Sequence, residues 1–369
     1  MNPSQDQKQT ILVTGSSGLI GSAIAAHFAR DFHVVGFDTK PPGRRTSVEH
    51  HDVDLTSDES VTAALARVKQ AHGDRIASVI HLAAYYDFAG EPSDLYEQVT
   101  IRGTGRLVRA LRAFYVEQFF FSSSMLVHAP GESGRPIHEE SPVEPTWDYP
   151  RSKVETEKLL HDERGEMPVV IARIAGVYDD ACHSIPIAHQ IQRIFEKKLI
   201  ARFYPGDPSR GQAFVHLDDL VTFVRLAVDR RRKLPAELVV LAGEAETISY
   251  DEIQRTTSRL LFGEEWETTV VPKAVAKAGA WLQDQLPGEA PFIKPWMVDR
   301  ADDHYELDIT RAKIVLDWEP KRSLRMTLPK MIARLQADPV AWYRANKLEV
   351  PAKLEDRAAP HAPPAPSAK

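Results

Sequence analysis

An open, doubly wound parallel α/β sheet with a smaller, mainly helical C-terminal lobe is the fold this sequence predicts, and three observations carry it. Short apolar runs rich in β-type residues alternate with helical patterns from Thr10 to Ala172, the order that builds a parallel sheet covered by helices. The first run enters a helix through a glycine-rich turn. Beyond about Gly176 the alternation fades, prolines 186, 205 and 208 interrupt, and helical segments dominate.

The elements follow in order. Residues 10–13 form the first strand, and Thr14-Gly15-Ser16-Ser17-Gly18-Leu19-Ile20-Gly21 leads into the helical pattern Ile20, Ala23, Ile24, Phe28. In that context Gly15 permits a tight turn, Gly18 lets the backbone approach a pyrophosphate, and Gly21 lets the helix pack close to the strand. The helix start then offers its N–H groups to the anion, so all seven residues from Gly15 to Gly21 are candidate dinucleotide contacts. A ligand-free strand-to-helix turn is the plainer alternative. The second strand, 32–37, ends at Asp38, whose carboxylate would accept hydrogen bonds from ribose hydroxyls and repel a 2′-phosphate. NAD is therefore favoured. Lys40, Arg44 and Arg45 could hold that phosphate if their loop folded over it, which keeps NADP as the alternative.

Residues 48–54 read as a third strand leading to Asp54-Leu55, and 57–70 as an amphipathic helix through Val61, Leu65 and Val68. A buried fourth strand, 77–80, ends in His81-Leu82-Ala83-Ala84, where small residues would let a cofactor lie against the sheet edge. A helix over 95–114 and a fifth strand over 118–121 follow, the strand closed by Ser122-Ser123-Ser124. Those serines sit on the glycine-loop edge, or simply satisfy loose backbone groups.

Tyr149-Pro150-Arg151-Ser152-Lys153 places a phenol and an amine one helical turn apart, with Pro150 suited to a helix start. A free tyrosine titrates near pH ~10, and a nearby cation would lower that value and make Tyr149 a candidate acid/base. Alone, such spacing equally describes a solvated helix face.

The second half reads as helices over 187–197, 217–229, 251–261, 274–285 and 323–336, with short strands such as 238–241. The predicted organisation is a flexible N-terminus over 1–9, a Rossmann-type NAD(P)-binding domain over 10–176, a substrate lobe over 177–350 with some segments returning to the sheet, and a Pro/Ala-rich disordered tail over 351–369. Of the 369 residues 43% are hydrophobic, which suits a sizeable core. A net charge of −6 gives no footprint for nucleic acid, and the run Asp229-Arg230-Arg231-Arg232-Lys233 is expected to close a helix C-terminus. No apolar run reaches the ~20 residues of a membrane span, no signal-like segment leads the chain, and a soluble cytoplasmic protein is expected. The single cysteine, Cys182, allows no disulfide within the chain and reads as a passive thiol. His50, His51, His183, His189 and His216 lack closed metal-site spacing, so no metal is predicted; helix N-capping explains Asp218-Asp219 better than an ion does.

Thr14-Gly15-x-x-Gly18-x-x-Gly21, Asp54-Leu55, His81-Leu82-Ala83-Ala84, Gly103-Thr104, Ser122-Ser123-Ser124 and Tyr149-x-x-x-Lys153 together resemble the extended short-chain dehydrogenase/reductase superfamily, in its NAD-dependent epimerase/dehydratase group. Phe214-Val215-His216-Leu217-Asp218-Asp219-Leu220 and Asp308-Ile309-Thr310-Arg311-Ala312-Lys313 extend the likeness through the second half. The resemblance implies that Ser124 hydrogen-bonds the substrate oxygen, Tyr149 passes the proton, and Lys153 binds the nicotinamide ribose and lowers the tyrosine pKa. It further implies that Asp54 and Leu55 flank the adenine, that Leu82, Ala83 and Ala84 line the cofactor's middle, and that Ala175 and Val177 lie near the nicotinamide. A homodimer is a further expectation of the family.

Three departures bear on substrate. Thr100 stands at a usual Asn position; Gly176 replaces an Asn that contacts the sugar-nucleotide in UDP-sugar epimerases; Gln212-Ala213 replace a common Arg-Asp pair. Tyr85, Tyr86 and Phe88 would supply an aromatic pocket wall, or merely pack their loop. The leading expectation is an NAD(P)-dependent oxidoreductase or epimerase acting on a secondary alcohol or ketone. A nucleotide-sugar epimerase or dehydratase is the alternative within that class, and a non-catalytic dinucleotide sensor or assembly factor is the rival outside it.

Overall fold

The structure, a computed structural model, describes residues 8–43, 47–87, 90–284 and 294–358. Its centre is a seven-stranded sheet: β1 Thr10–Thr14, β2 His33–Asp38, β3 Glu49–Asp52, β4 Ser78–His81, β5 Phe119–Ser124, β6 Val169–Ile174 and β7 Glu237–Ala242. The order is β7-β6-β5-β4-β1-β2-β3, with every neighbouring pair parallel. The chain leaves β1 in one direction for β2 and β3, then returns to the other side for β4. The sheet therefore reverses between β1 and β4, and ligands bind at that carboxyl edge in sheets of this kind.

Every residue of β1 and β6 is buried, which is why these strands read as continuous apolar runs rather than alternating ones. Successive side chains still go to opposite faces. Ile11, Val13 and Phe120 join Ile24 and Phe28 of α1 (Leu19–Phe28) in one core. Leu12, Phe119 and Phe121 meet α2 (Asp58–His72) and α3 (Arg102–Leu111) in the other. Ser57 caps α2 by accepting a bond from Ser60 N at 3.1 Å, and Asp58 and Glu59 follow in the first turn, where carboxylates meet the positive end of the helix dipole.

The sequence predicts one helix over 95–114. Instead, a π-helical turn, Tyr96–Ile101, precedes α3. The wider turn brings Tyr96 and Thr100 both to the buried side, and Thr104 Oγ1 bonds back to Thr100 O at 2.5 Å. Propensity alone does not signal such a turn, which is a frequent mark of functional sites.

The chain divides into two compact units, the first being Met1–Val177, Arg210–Ile248 and Asp302–Ser323. The strand expected over 238–241 is the outer strand β7 of the central sheet, one of the second-half segments that return to it. The first unit also contains α4 (Asp148–Glu163), α6 (Leu217–Asp229) and α10 (Thr310–Leu316). Trp318 is buried in the core and donates its indole N–H to Asp219 O at 3.0 Å. Asp219 does not cap α6: its carboxylate accepts Lys321 N and Arg322 N at 3.0 and 2.8 Å, while the ring of His216 takes the capping bond from Asp218 N. At the other end of α6, Arg231 bonds Val228 O and, with Arg232, pairs with the buried Glu117.

The second unit comprises Tyr178–Ser209, Ser249–Ala301 and Leu324–Lys369. Its helices are α5 (Ile185–Phe195), α7 (Tyr250–Phe262), α8 (Lys273–Asp284), α9 (Pro295–Asp299), α11 (Leu324–Ala337), α12 (Pro339–Ala345) and α13 (Ala352–Ala358). Tyr343 OH donates to Glu196 at 2.7 Å, and the rings of Tyr204 and Tyr250 stack at 4.0 Å. The tail expected to be disordered from 351 is helical through Ala358; residues 359–369 lie outside the described residues, as do 1–7. Gln9, in the N-terminus expected to be flexible, is tied down: its carbonyl accepts His33 N at 3.0 Å and its side chain accepts from Arg231 at 2.8 Å.

Candidate active site

The glycine turn is built by close approach. Gly15 adopts φ +70° and donates its N–H to Phe37 O at 2.8 Å. A Cβ on Gly21 would fall 2.0 Å from Gly15 O, so only glycine lets α1 start here. Gly18 caps α1 without a side-chain bond, and the first turn holds no acidic residue. The leading N–H groups therefore have no side-chain partner, which is the donor set a pyrophosphate needs. Gly36 of β2 leaves room for the buried Ser16. Ser17 N donates to Asp38 at 3.0 Å and Ser17 Oγ to Lys40 O at 2.6 Å, so the Asp38 carboxylate and the turn are one unit. Leu19 is 40% exposed at the head of α1, and Ile20 is half-buried. These residues fit a dinucleotide. Gly21→Ala is expected to abolish NAD binding in a fluorescence titration and to lower the melting temperature, because the methyl group meets backbone that cannot retreat.

At the end of β4, His81 is fully buried between Thr14 and Thr104. Thr104 Oγ1 donates to Thr100 O, so it must accept from His81 Nε2 at 2.8 Å. His81 Nδ1 then accepts from Thr14 Oγ1 at 2.7 Å, leaving that oxygen to receive Leu82 N and Ala83 N, both at 3.2 Å. Burial, helped by the charge of Lys153, drops the imidazole to about 3 and keeps it neutral. One histidine tautomer thereby fixes the path of the Leu82-Ala83-Ala84 segment.

Ser122, Ser123 and Ser124 have three different tasks. Ser122 Oγ donates to His81 O at 3.1 Å, Ser123 Oγ bonds Glu157, and Ser124 Oγ accepts Leu126 N at 3.2 Å and hydrogen-bonds the Tyr149 phenol. Lys153, 2% exposed on α4, donates to Ser122 O at 2.8 Å and lies 5.7 Å from the centre of the Tyr149 ring. Ser124, Tyr149 and Lys153 are thus brought together. The expected lowering of the phenol is not seen. Burial pushes Tyr149 up to about 12, the Ser124 hydrogen bond works against that rise, and Tyr96 adds to it. The amine is turned to a carbonyl rather than to the phenol oxygen. Burial brings Lys153 itself down to about 7, opposed by Glu157 one turn along.

A buried polar network lies behind this pair. Arg173 of β6 holds Glu157 with Nη2 at 2.7 Å and Nε at 3.2 Å, and Glu139 O with Nη1 at 2.9 Å. His128 Nδ1 faces Ser141 O at 3.1 Å and must donate to it, so Nε2 accepts from Arg173 at 3.1 Å. Burial and the Arg173 charge lower His128 to about 4. The sequence reading missed Glu157, Arg173 and His128. Glu157 alone carries a signal, standing one helical turn beyond Lys153.

Tyr86 and Trp147 pack on the Tyr149 ring with centroids 4.8 and 5.5 Å away. Tyr85, expected beside Tyr86 at the substrate, stacks edge-on against Tyr96 at 4.8 Å, and its N–H bonds Thr100 Oγ1 at 3.0 Å. Phe88, Arg44 and Arg45 lie outside the described residues. Asp54 accepts Thr56 N at 2.8 Å at the lip of α2, and Leu55 packs over Gly103 of α3. Ala175 is buried beyond β6 and bonds Ala242 O at 2.9 Å, while Val177 is half-buried. At Gly176 a Cβ would meet the Phe214 ring at 2.8 Å, so this backbone excludes an asparagine there while Phe214 stays in place. Cys182 is buried, and burial pushes its thiol up to about 12.

A doubly wound sheet with a glycine-turn anion site and a phenol and an amine at the same strand edge is the architecture of a nicotinamide-dependent enzyme. A family model for the NAD dependent epimerase/dehydratase family matches residues 11–243, and the chain belongs to that family as an NAD-using enzyme of the extended short-chain dehydrogenase/reductase type. It is 27% identical over 334 residues to a UDP-glucose 4-epimerase of Azospirillum brasilense, covering 84% of this chain and 87% of that one. It is 28% identical over 249 residues to short-chain dehydrogenase/reductase family 42E member 1 of Macaca fascicularis, covering 63% and 61%. The UDP-glucuronic acid 4-epimerase of Bacillus cereus, solved with UDP-glucuronic acid and NAD, shares the fold with a TM-score of 0.67 at 20% identity, over 89% of this chain and 100% of that one.

Proposed function

We propose that this enzyme oxidises a secondary carbinol, or runs the reverse reduction, with Tyr149 exchanging the hydroxyl proton. The observation that carries the reading is the Ser124–Tyr149–Lys153 set, with Ser124 and Lys153 buried, on the same sheet edge as the glycine turn and Asp38. NAD, when bound, supplies the acceptor for the carbinol hydride. Ser124 Oγ holds the carbinol oxygen by a hydrogen bond. In oxidation Tyr149 acts as the phenolate and its Oη takes the hydroxyl proton, becoming the neutral phenol; in reduction the phenol gives that proton to the oxygen formed and is left as phenolate. The nearby Lys153 ammonium favours the phenolate against the burial that raises the phenol. Asp38 receives the adenosine ribose hydroxyls, favouring NAD over NADP.

A second reading, nucleotide-sugar 4-epimerisation, is supported by relatives such as the Azospirillum brasilense UDP-glucose 4-epimerase, which match along most of the chain. Gly176 and Ala213 weigh against it, since neither offers a side chain to a sugar diphosphate. Denaturing the purified protein and chromatographing the supernatant separates the two. Copurified NAD with a UDP-sugar supports the epimerase. Dinucleotide that exchanges freely, with turnover on other secondary alcohols, supports a dehydrogenase. Failure both to bind dinucleotide and to turn over any carbinol sinks the proposal.

A further inference from the structure

At the opposite edge of the sheet, far along each strand from the glycine turn, four side chains from three elements converge. His33 opens β2, Glu49 opens β3, and His72 ends α2. His33 Nε2 and His72 Nε2 both point at Glu49 Oε2, at 2.9 and 2.8 Å, and their rings lie 4.0 Å apart. His51 Nε2 holds the other carboxylate oxygen, Oε1, at 2.6 Å. Arg67 Nε donates to His51 Nδ1 at 3.1 Å, so this imidazole carries its proton on Nε2 and donates to Glu49.

We propose that His33, Glu49 and His72 form a binding site for a single Zn²⁺ ion, with His51 orienting the carboxylate. Two imidazoles and one carboxylate, with ligand atoms all within 4.8 Å of one another, make a recognised donor set for this ion. Donors around a tetrahedral zinc stand about 3.3 Å apart. The two pairs at 2.8 and 2.9 Å therefore open by only roughly half an ångström. Each imidazole shifts its N–H from Nε2 to Nδ1 and presents a lone pair, so the ion takes the place of two hydrogen-bond protons.

A cavity of about 340 Å³, bordered by His33 and His72, opens beside the cluster and gives an entry path and room for a water as fourth ligand. Two cations also border it, and both are engaged elsewhere. Lys8 Nζ donates to Arg30 O at 2.9 Å, and Arg75 lies over the Tyr115 ring at 4.5 Å and 3.4 Å from Glu117. The sequence reading weighed His50 and His51 but not His33 or His72. Ligands 16 and 23 residues apart on separate elements leave no motif.

The test uses the full, tag-free chain, stripped with EDTA and titrated with Zn²⁺ against a chromophoric chelator. One equivalent should bind. His33→Gln and His72→Gln should each weaken binding at least about 100-fold, and His51→Gln, which removes only the outer support, about 10-fold. Exposed His138→Gln should leave it unchanged. Wild-type affinity no greater than that of the His33→Gln/His72→Gln double variant overturns the proposal. Zinc-edge absorption of the loaded wild-type protein is independent of how the variants fold: scattering from two imidazoles supports the site, and its absence overturns it.

Discussion

Tyr149→Phe is expected to lower kcat by about 10²–10⁴-fold, the contribution of a positioned acid/base, while NAD affinity stays close to wild type. The substitution removes one oxygen. The ring keeps its edge-on packing with Tyr86 and its contact with Trp147, and Ser124 keeps its bond from Leu126 N. A loss in kcat with an unchanged dinucleotide titration assigns the phenol to the chemical step. Full turnover in the variant removes Tyr149 from the mechanism. Loss of NAD binding along with turnover makes its role one of shaping the site.

Arg173→Ala is expected to destabilise the protein by about 3–5 kcal/mol in urea unfolding, the range found when one partner of a buried ion pair is removed. Glu157 is buried on α4 with Arg173 as its cation, and the same guanidinium satisfies Glu139 O and the neutral His128. Truncation strands a carboxylate and two acceptors at once. Because Glu157 and Lys153 lie one turn apart on α4, the variant should also lose activity under conditions where it remains folded. A stability change below about 1 kcal/mol would show that the network is solvated rather than buried.

Much of the site was legible because its parts are local. The turn from Gly15 to Gly21, Asp38 at a strand end and the Tyr149 to Lys153 spacing each need only a few neighbouring residues, and the alternation of strands and helices sets them on one edge. What the sequence concealed depends on distant partners. The rise in the Tyr149 phenol comes from burial, to which the rings of Tyr86 and Trp147 from separate segments contribute, with Tyr96 adding to it electrostatically. The neutral state of His81 follows from its burial and the charge of Lys153, and its tautomer from hydroxyls at 14 and 104. The π-helical turn at 96–101 has no residue pattern of its own, and the return of 237–242 to the sheet looks, in sequence, like any short strand among helices.

That return has a consequence for how the chain is made. β6 lies fully buried only because β7 covers its outer edge, and the two are separated by some sixty residues that include the whole first segment of the other compact unit. During synthesis, β6 emerges with a row of unpaired amides and carbonyls long before its neighbour exists. Cutting the chain after Gly176 would therefore yield no autonomous nucleotide-binding module but a sheet with a sticky apolar border, missing Trp318 as well. The boundary that composition suggests is a place where the chain changes style, not one where folding can stop.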